Sequence, residues 1–166
     1  MSGFTTPTFR PTHAVLAVLT AAAFLVPAGP ATSQKPDVRA RFVLPTAATA
    51  GTKTTVVVEM TLGPKWHVNS HTPAEDFLIP TDLTLKASAG KLSPIRYPKH
   101  VERKFAFSEK PLRVYEGTVR FEAYLDLPAG AKGTVSLSGT LGYQACNDEQ
   151  CFMPEEVPLE AKLTVR

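Results

Sequence analysis

The chain has 166 residues and nearly balanced charge, with 18 lysines and arginines against 15 aspartates and glutamates. Its basic residues are scattered apart from Arg103-Lys104, so no nucleic-acid partner is predicted. A chain of this length can bury one hydrophobic core, and beyond its N-terminal region it holds no apolar run of membrane-spanning length.

Residues 1–33 are predicted to be a secretory signal peptide rather than part of the fold. Arg10 is their only charged residue, and the apolar run 14–26 is shorter than the about 20 residues that a spanning helix needs. Small residues at 31–33 suit a signal peptidase, which places cleavage near Ser33. We therefore expect residues 34–166 to form one domain that lies outside the cytoplasm and is not inserted in the membrane; an uncleaved anchor is the alternative.

Alternating polar and apolar residues dominate the first half of this domain, and such alternation is typical of half-buried strands. A proline within one of these segments, Pro80, confines that part to a sheet edge or a bulge. The segments predicted as strands are 37–44, 53–62 and 77–85, and the segment 66–73 is predicted to start as a strand and become an irregular turn.

The second half of the domain continues the pattern after an aperiodic stretch, 99–111, which is predicted as a long surface loop. Alternating runs at 114–128, 135–143 and 157–165 predict three longer strands. About seven or eight short strands with Pro/Gly turns, and no amphipathic helix longer than two turns, predict an all-β, antiparallel, immunoglobulin-like β-sandwich. A barrel is the alternative.

Both cysteines lie between two predicted strands, within the segment 143–154. The Asn and Asp residues between them suit a turn, so Cys146 and Cys151 would face each other across the mouth of a hairpin. In an exported chain such a pair is normally oxidised. A bridge closing so small a loop stabilises the fold little, which favours a redox pair; a static bridge and a metal site are the alternatives. Asp148 and Glu149 would raise the thiol pKa values, so activation would depend on a partner.

Other side chains could act together with the cysteines. His67 and His71, with the cysteines and Met153, would form a soft site suited to Cu(I), although a packed or solvent-facing histidine is the simpler interpretation for each. Tyr143 and Tyr115 are predicted to flank the cysteines and position an incoming partner. A tyrosine half-buried at a strand end is the alternative for each of them.

Three stretches of the domain carry a family resemblance, and together they cover nearly all of it. They are 66–70 with 77–81, 97–117, and 143–159. In this order they resemble the N-terminal periplasmic domain of the thiol:disulfide interchange protein DsbD. The resemblance implies an immunoglobulin-like domain that takes electrons from a membrane reductase and reduces thioredoxin-like periplasmic partners, without any cofactor.

Carried over by position, the resemblance makes Cys146 and Cys151 the redox pair of a protein-disulfide reductase type of activity. It places a cap loop at Glu102–Ser108, with Phe105 or Phe107 as the lid until a partner displaces it. Where this chain ends, the family's full-length protein continues into transmembrane helices and a thioredoxin domain, so we expect the electrons to come from a separate protein. A non-enzymatic binding module with a structural disulfide and a copper-handling domain are the alternatives.

Overall fold

A computed structural model describes Gly3 and residues 35–166 of the chain. Gly3 apart, the predicted signal peptide and its cleavage site lie outside the described residues. No helix within the described part is long and apolar enough to span a membrane. Residues 35–166 form eleven β-strands. These are β1 Val38–Val43, β2 Lys53–Leu62, β3 His67–Asn69, β4 Asp82–Ala87, β5 Lys91–Leu92, β6 Val101–Arg103, β7 Leu112–Glu116, β8 Thr118–Asp126, β9 Gly133–Tyr143, β10 Ala145–Cys146 and β11 Glu155–Val165.

The strands pair antiparallel in three sheets. The first sheet has the order β1-β2-β8-β5, the second β11-β9-β4 and the third β10-β3-β7-β6. Alternate residues of the first two sheets meet in a core that includes Val56 and Leu125 from one sheet and Leu137 and Leu163 from the other. Each such side chain contributes roughly 1.5–3 kcal/mol by leaving water. The predicted all-β, antiparallel, immunoglobulin-like sandwich is confirmed.

The third sheet packs one of its faces on the same core and leaves the other face for a separate apolar cluster. Val68 and Tyr115, paired across β3 and β7, join the main core with Phe121. Val114, the next residue along β7, points the opposite way because successive side chains alternate. It belongs to a small cluster with Leu78, Phe105 and Leu112. This outer face of the third sheet also carries the cysteines described below.

The strand predicted from Phe77 to Leu85 begins only at Asp82, so its first part is wrong. Phe77 and Ile79 are exposed instead of facing the core. Thr81 is not paired with a neighbouring strand. Its hydroxyl instead donates a hydrogen bond to the Asn69 carbonyl at 2.6 Å. The segment is thereby tied to the end of β3 without forming a ladder.

Two other predicted boundaries also differ from the structure. Strand β6 lies inside the predicted loop 99–111 and pairs with β7. The single strand predicted from Val114 to Pro128 is two strands, separated at Gly117, whose φ of +62° favours glycine. There the chain leaves the third sheet for the first, and the Gly117 carbonyl accepts a hydrogen bond from the Leu62 amide at 2.8 Å.

Gly139 in β9 is expected to be intolerant of any side chain. A Cβ there would lie 2.5 Å from the backbone oxygen of Thr84 and 2.8 Å from a methyl carbon of Leu85, so strand β4 would have to move. We expect Gly139→Ala to lower the free energy of unfolding by about 1–3 kcal/mol, the usual cost of overpacking. Urea denaturation measures this change.

The matched control is Gly142→Ala in the same strand, where the closest atom to an added Cβ is 3.9 Å away. This variant is expected to stay within about 0.5 kcal/mol of the wild type. Equal losses in both variants would show that the close approach of β4 is not what requires glycine at position 139.

Candidate functional site

The two cysteines form a disulfide that closes a tight hairpin at the edge of the third sheet. Strand β10 ends at Cys146, and the chain returns at once, because the Phe152 amide donates to the Ala145 carbonyl at 2.8 Å. Cys146 is only 1% exposed, whereas Cys151 is partly exposed. Only one of the two sulfurs therefore belongs to a residue that solvent reaches.

The turn between the cysteines is organised by Asn147. Its side-chain oxygen accepts hydrogen bonds from the backbone amides of Glu149 and Gln150, at 2.9 and 2.8 Å. The backbone amide of Asn147 donates to the Gln150 carbonyl. Asn favours turns because its short side chain can make such local bonds. The hairpin predicted from the Asn and Asp residues is confirmed in its geometry.

Behind the hairpin lies a chain of amide hydrogen bonds. The Asn69 side-chain nitrogen donates to the Gln144 side-chain oxygen at 3.3 Å, and the Gln144 nitrogen donates to the Phe152 carbonyl at 3.1 Å. The ring of Phe152 in turn contacts Trp66 edge-on, with centroids 5.2 Å apart. Both ends of the hairpin are thus fixed to β3 and to the segment before it.

A histidine lies directly opposite the first cysteine. His67 of β3 is paired with Cys146 on one side and with Glu116 of β7 on the other, so the three side chains share the outer face of the sheet. Burial lowers the pKa of His67, and the carboxylates of Glu116 and Asp148 offset part of that effect.

The cap loop predicted at Glu102–Ser108 lies over this histidine. The ring of Phe105 stacks on the His67 ring at a centroid distance of 4.0 Å, and Phe105 is 8% exposed. Phe107 stacks on the outside of Phe105 at 5.4 Å and is 43% exposed. Phe105 is therefore the inner ring, and Phe107 covers it from the solvent side.

The loop is anchored at its base and tied across its tip. At the base, the Arg103 guanidinium forms a bidentate ion pair with Glu116, with nitrogen–oxygen distances of 2.9–3.1 Å. At the tip, the Lys104 ammonium donates to the Ser108 carbonyl, and the Ser108 amide donates to the Phe105 carbonyl. These contacts, together with the packing of Phe105, hold the loop in its closed form.

Tyr115 and Tyr143 are buried in the main core. Tyr115 is opposite Val68, which is opposite Ala145, so its ring lies on the face turned away from Cys146. Tyr143 donates its hydroxyl hydrogen to the Glu155 carboxylate at 3.1 Å, and burial together with that carboxylate raises its pKa to about 12. Both rings are thus packed in the core, and their role in positioning a partner stays a prediction.

The residues considered as ligands of an alternative Cu(I) site lie in different surroundings. His67 stacks on Phe105, whereas His71 stacks on Tyr97 at 3.6 Å and lies 3.5 Å from the Asp82 carboxylate. Met153 is exposed beside the hairpin. Among the described residues, no three His, Cys, Asp or Glu side chains cluster in a way that could hold a metal ion.

Sequence reasoning missed His67 as the residue on which Phe105 stacks, and it missed the Asn69–Gln144 pair. A signal for both was present, because residues two apart in a strand share a face. His67 and Asn69 of β3 are such a pair. What the sequence lacked was the pairing of β3 with β10.

The fold and the site define an immunoglobulin-like domain with a hairpin disulfide at a sheet edge, beside a loop with an inner aromatic ring. A family model described as thiol:disulfide interchange protein DsbD, N-terminal, matches residues 38–162. The chain belongs to this family.

Solved structures with a similar course of the chain include two domains of different description. One is the N-terminal domain of DsbD from Neisseria meningitidis in the reduced form, at 14% identity and a TM-score of 0.48, covering 76% of this chain and 85% of that one. Another is AggA of Escherichia coli, the major subunit of aggregative adherence fimbriae type I, at 8% identity and a TM-score of 0.40, covering 80% and 97%. No curated protein matches the chain.

Proposed function

We propose that this domain carries electrons by thiol–disulfide exchange through Cys146 and Cys151, from a membrane reductase to thioredoxin-like partners in the periplasm. Residues 1–33 would be its signal peptide, and residues 34–166 its mature form. The observation that carries the proposal is the hairpin disulfide at a sheet edge, in a chain of the DsbD N-terminal family. A crosslink that only stabilised the fold would gain more by closing a longer loop.

The exchange begins with attack on the more accessible sulfur. A donor thiolate attacks the Cys151 sulfur, the Cys146–Cys151 bond breaks, and Cys146 leaves as a thiolate that takes up a proton. The donor's second thiolate then attacks the mixed disulfide, forms the donor's own disulfide and releases Cys151. Two electrons and two protons have now passed to the domain. Attack by reduced Cys151 on an acceptor disulfide, resolved by Cys146, passes them on.

The surroundings make the pair dependent on its partners. The carboxylate of Asp148 lies in the turn between the cysteines, and nearby negative charge disfavours a thiolate. The stacked rings of Phe105 and Phe107 lie beside the strand that carries Cys146, over His67. A partner that displaces the loop and supplies its own thiolate would overcome both obstacles. A stray thiol could supply a thiolate but could not displace the loop, and this selectivity suits an electron carrier.

The reduction potential of the cysteine pair tests the proposal. It is measured by thiol trapping of purified residues 34–166 across a graded redox buffer, with the double Cys→Ser variant as the blank. We expect a value between about −270 and −120 mV, the range of proteins that exchange disulfides. A value below about −300 mV, with no reaction towards thioredoxin-like proteins, would leave a structural disulfide in a binding domain.

A further inference from the structure

The ring on which Phe105 stacks belongs to a buried, titratable residue, His67. His67 is 3% exposed, its ring lies flat against Phe105 with an interplanar angle of 15°, and its Nε2 atom has no hydrogen-bond partner among the described residues. A neutral imidazole tolerates such a place, because only one of its nitrogens carries a hydrogen. A protonated ring would carry a second N–H and a full charge into the same apolar contact, at a considerable cost.

Phe105 also packs against aliphatic side chains. Phe105 packs with Leu78, Leu112 and Val114 in the small cluster on the outer face of the third sheet. These side chains do not titrate, whereas the imidazole stacked on Phe105 does. Its charge can therefore change how firmly the lid is held.

We propose that His67 is the positioning residue of the lid: as a neutral ring it holds Phe105 closed beside the cysteine strand, and on protonation it releases Phe105. The role follows from three features of the geometry, namely the stacked contact, the backbone pairing of His67 with Cys146 and the unpartnered nitrogen. Its consequence for electron transfer rests on the proposed function, whereas the movement of the lid does not.

The charged groups around His67 favour release of Phe105 once water reaches the imidazole ring. Glu116 faces it from β7, Asp148 from the hairpin turn, and Lys65 lines the same cleft from the segment before β3. Glu116 is partly neutralised by its ion pair with Arg103 at the base of the loop. Two carboxylates against one lysine in this cleft would stabilise an exposed imidazolium, so protonation and opening support each other.

The direction of the pH dependence follows from linkage. Burial in the closed state holds the pKa of His67 below its ordinary value of 6.5, while in the open state the ring regains a more ordinary pKa. The open state therefore binds the proton more tightly, and acidification below pH 6.5 raises the population of open lids. A single proton can raise that population by at most about tenfold per pH unit.

The test uses a neutral phosphine, which reduces disulfides without being a thiol. The phosphine attacks a sulfur, the S–S bond breaks, and water converts the phosphonium to phosphine oxide while both thiols are released. Reduction rates of wild type and His67→Phe are compared from pH 7.5 to pH 4.5. Protonation of the phosphine at low pH slows both reactions equally, so it cancels in the ratio of the two rates. Phenylalanine is chosen at position 67 because it keeps a flat ring against Phe105 and has no titratable nitrogen.

We expect the ratio of wild-type to His67→Phe rates to rise at least threefold on acidification, with a slope of no more than tenfold per pH unit. His71→Phe is the matched control, because His71 also stacks on an aromatic ring but lies at another site; its ratio to wild type is expected to stay constant. A constant ratio for His67→Phe would overturn the inference.

A second measurement covers the case in which His67→Phe does not fold. Hydrogen exchange at the Ser108 amide, which donates to the Phe105 carbonyl, reports opening of the loop in the wild type itself. After correction for the intrinsic exchange rate, its protection is expected to fall below pH 6.5, and unchanged protection would contradict the proposal. If the lid opens in this way while thioredoxin-like proteins still fail to react, the proposed function fails and the lid mechanism stands.

Discussion

Replacing Cys146 by serine is expected to turn the domain into a trap for its acceptor and to abolish electron transfer. Cys151 is the partly exposed member of the pair, so the remaining thiolate can still attack an acceptor disulfide. No second thiol is then available to resolve the mixed disulfide, and the adduct accumulates. Non-reducing electrophoresis and intact mass spectrometry, after mixing the variant with a thioredoxin-like protein, measure the adduct.

Cys151→Ser is the matched control, because it removes the same bond and leaves the thiol of a residue that is almost fully buried. Both variants should lose about 2 kcal/mol of stability, the chain-entropy estimate for so small a loop, so a difference between them reflects access rather than folding. We expect little or no adduct from Cys151→Ser. An adduct of equal yield from both variants, or from Cys151→Ser alone, would contradict the assignment of Cys151 as the attacking sulfur.

The long strands of the sandwich could be predicted because each has one face in the core. In β2, Val56, Val58 and Met60 are fully buried at every second position, so a period of two was visible, and its predicted bounds match the structure. The same reasoning found β9 and extended to most of β11. For these strands, the alternation of polar and apolar residues in the sequence predicts which side chains are buried.

The errors fall where a strand or its end depends on a distant partner. Residues 101–103 are all exposed and show no period, and only their pairing with β7 makes them a strand. Phe77 and Ile79 show the period of a strand, yet hydrogen bonds between Thr81 and the end of β3 hold that segment as a turn. Neither outcome could be read from the residues themselves.

The candidate site divides in the same way. The hairpin was predictable because Asn147 makes its bonds within the turn. The choice between Phe105 and Phe107 was not, since both stand in the same polar loop, two residues apart. The contacts made in the fold decide which ring is the inner one. Phe105 packs against Leu112 and Val114 of β7 and on the ring of His67, and Phe107 stays outside.

Phe105→Ala is therefore expected to open the site, whereas Phe107→Ala is not. Removing the inner ring gives up its stacking on His67 and its contacts in the small outer cluster, for which we estimate about 1.5–3 kcal/mol from the free energy of burying a phenylalanine side chain. Since about 1.4 kcal/mol corresponds to a factor of ten, the population of open loops should rise at least tenfold. A small phosphine that attacks the disulfide mainly in molecules with an open loop should then reduce it faster by the same factor.

Trp66, the only tryptophan, provides the measurement because its ring contacts Phe152, next to Cys151. Its fluorescence in a stopped-flow instrument follows the reduction without any added label. Phe107→Ala removes a ring of the same size that is 43% exposed, and it should change the rate by less than about threefold, because little buried area is lost. A larger acceleration in Phe107→Ala would make the outer ring the lid, and equal rates in both variants and the wild type would mean that neither ring limits access to the disulfide.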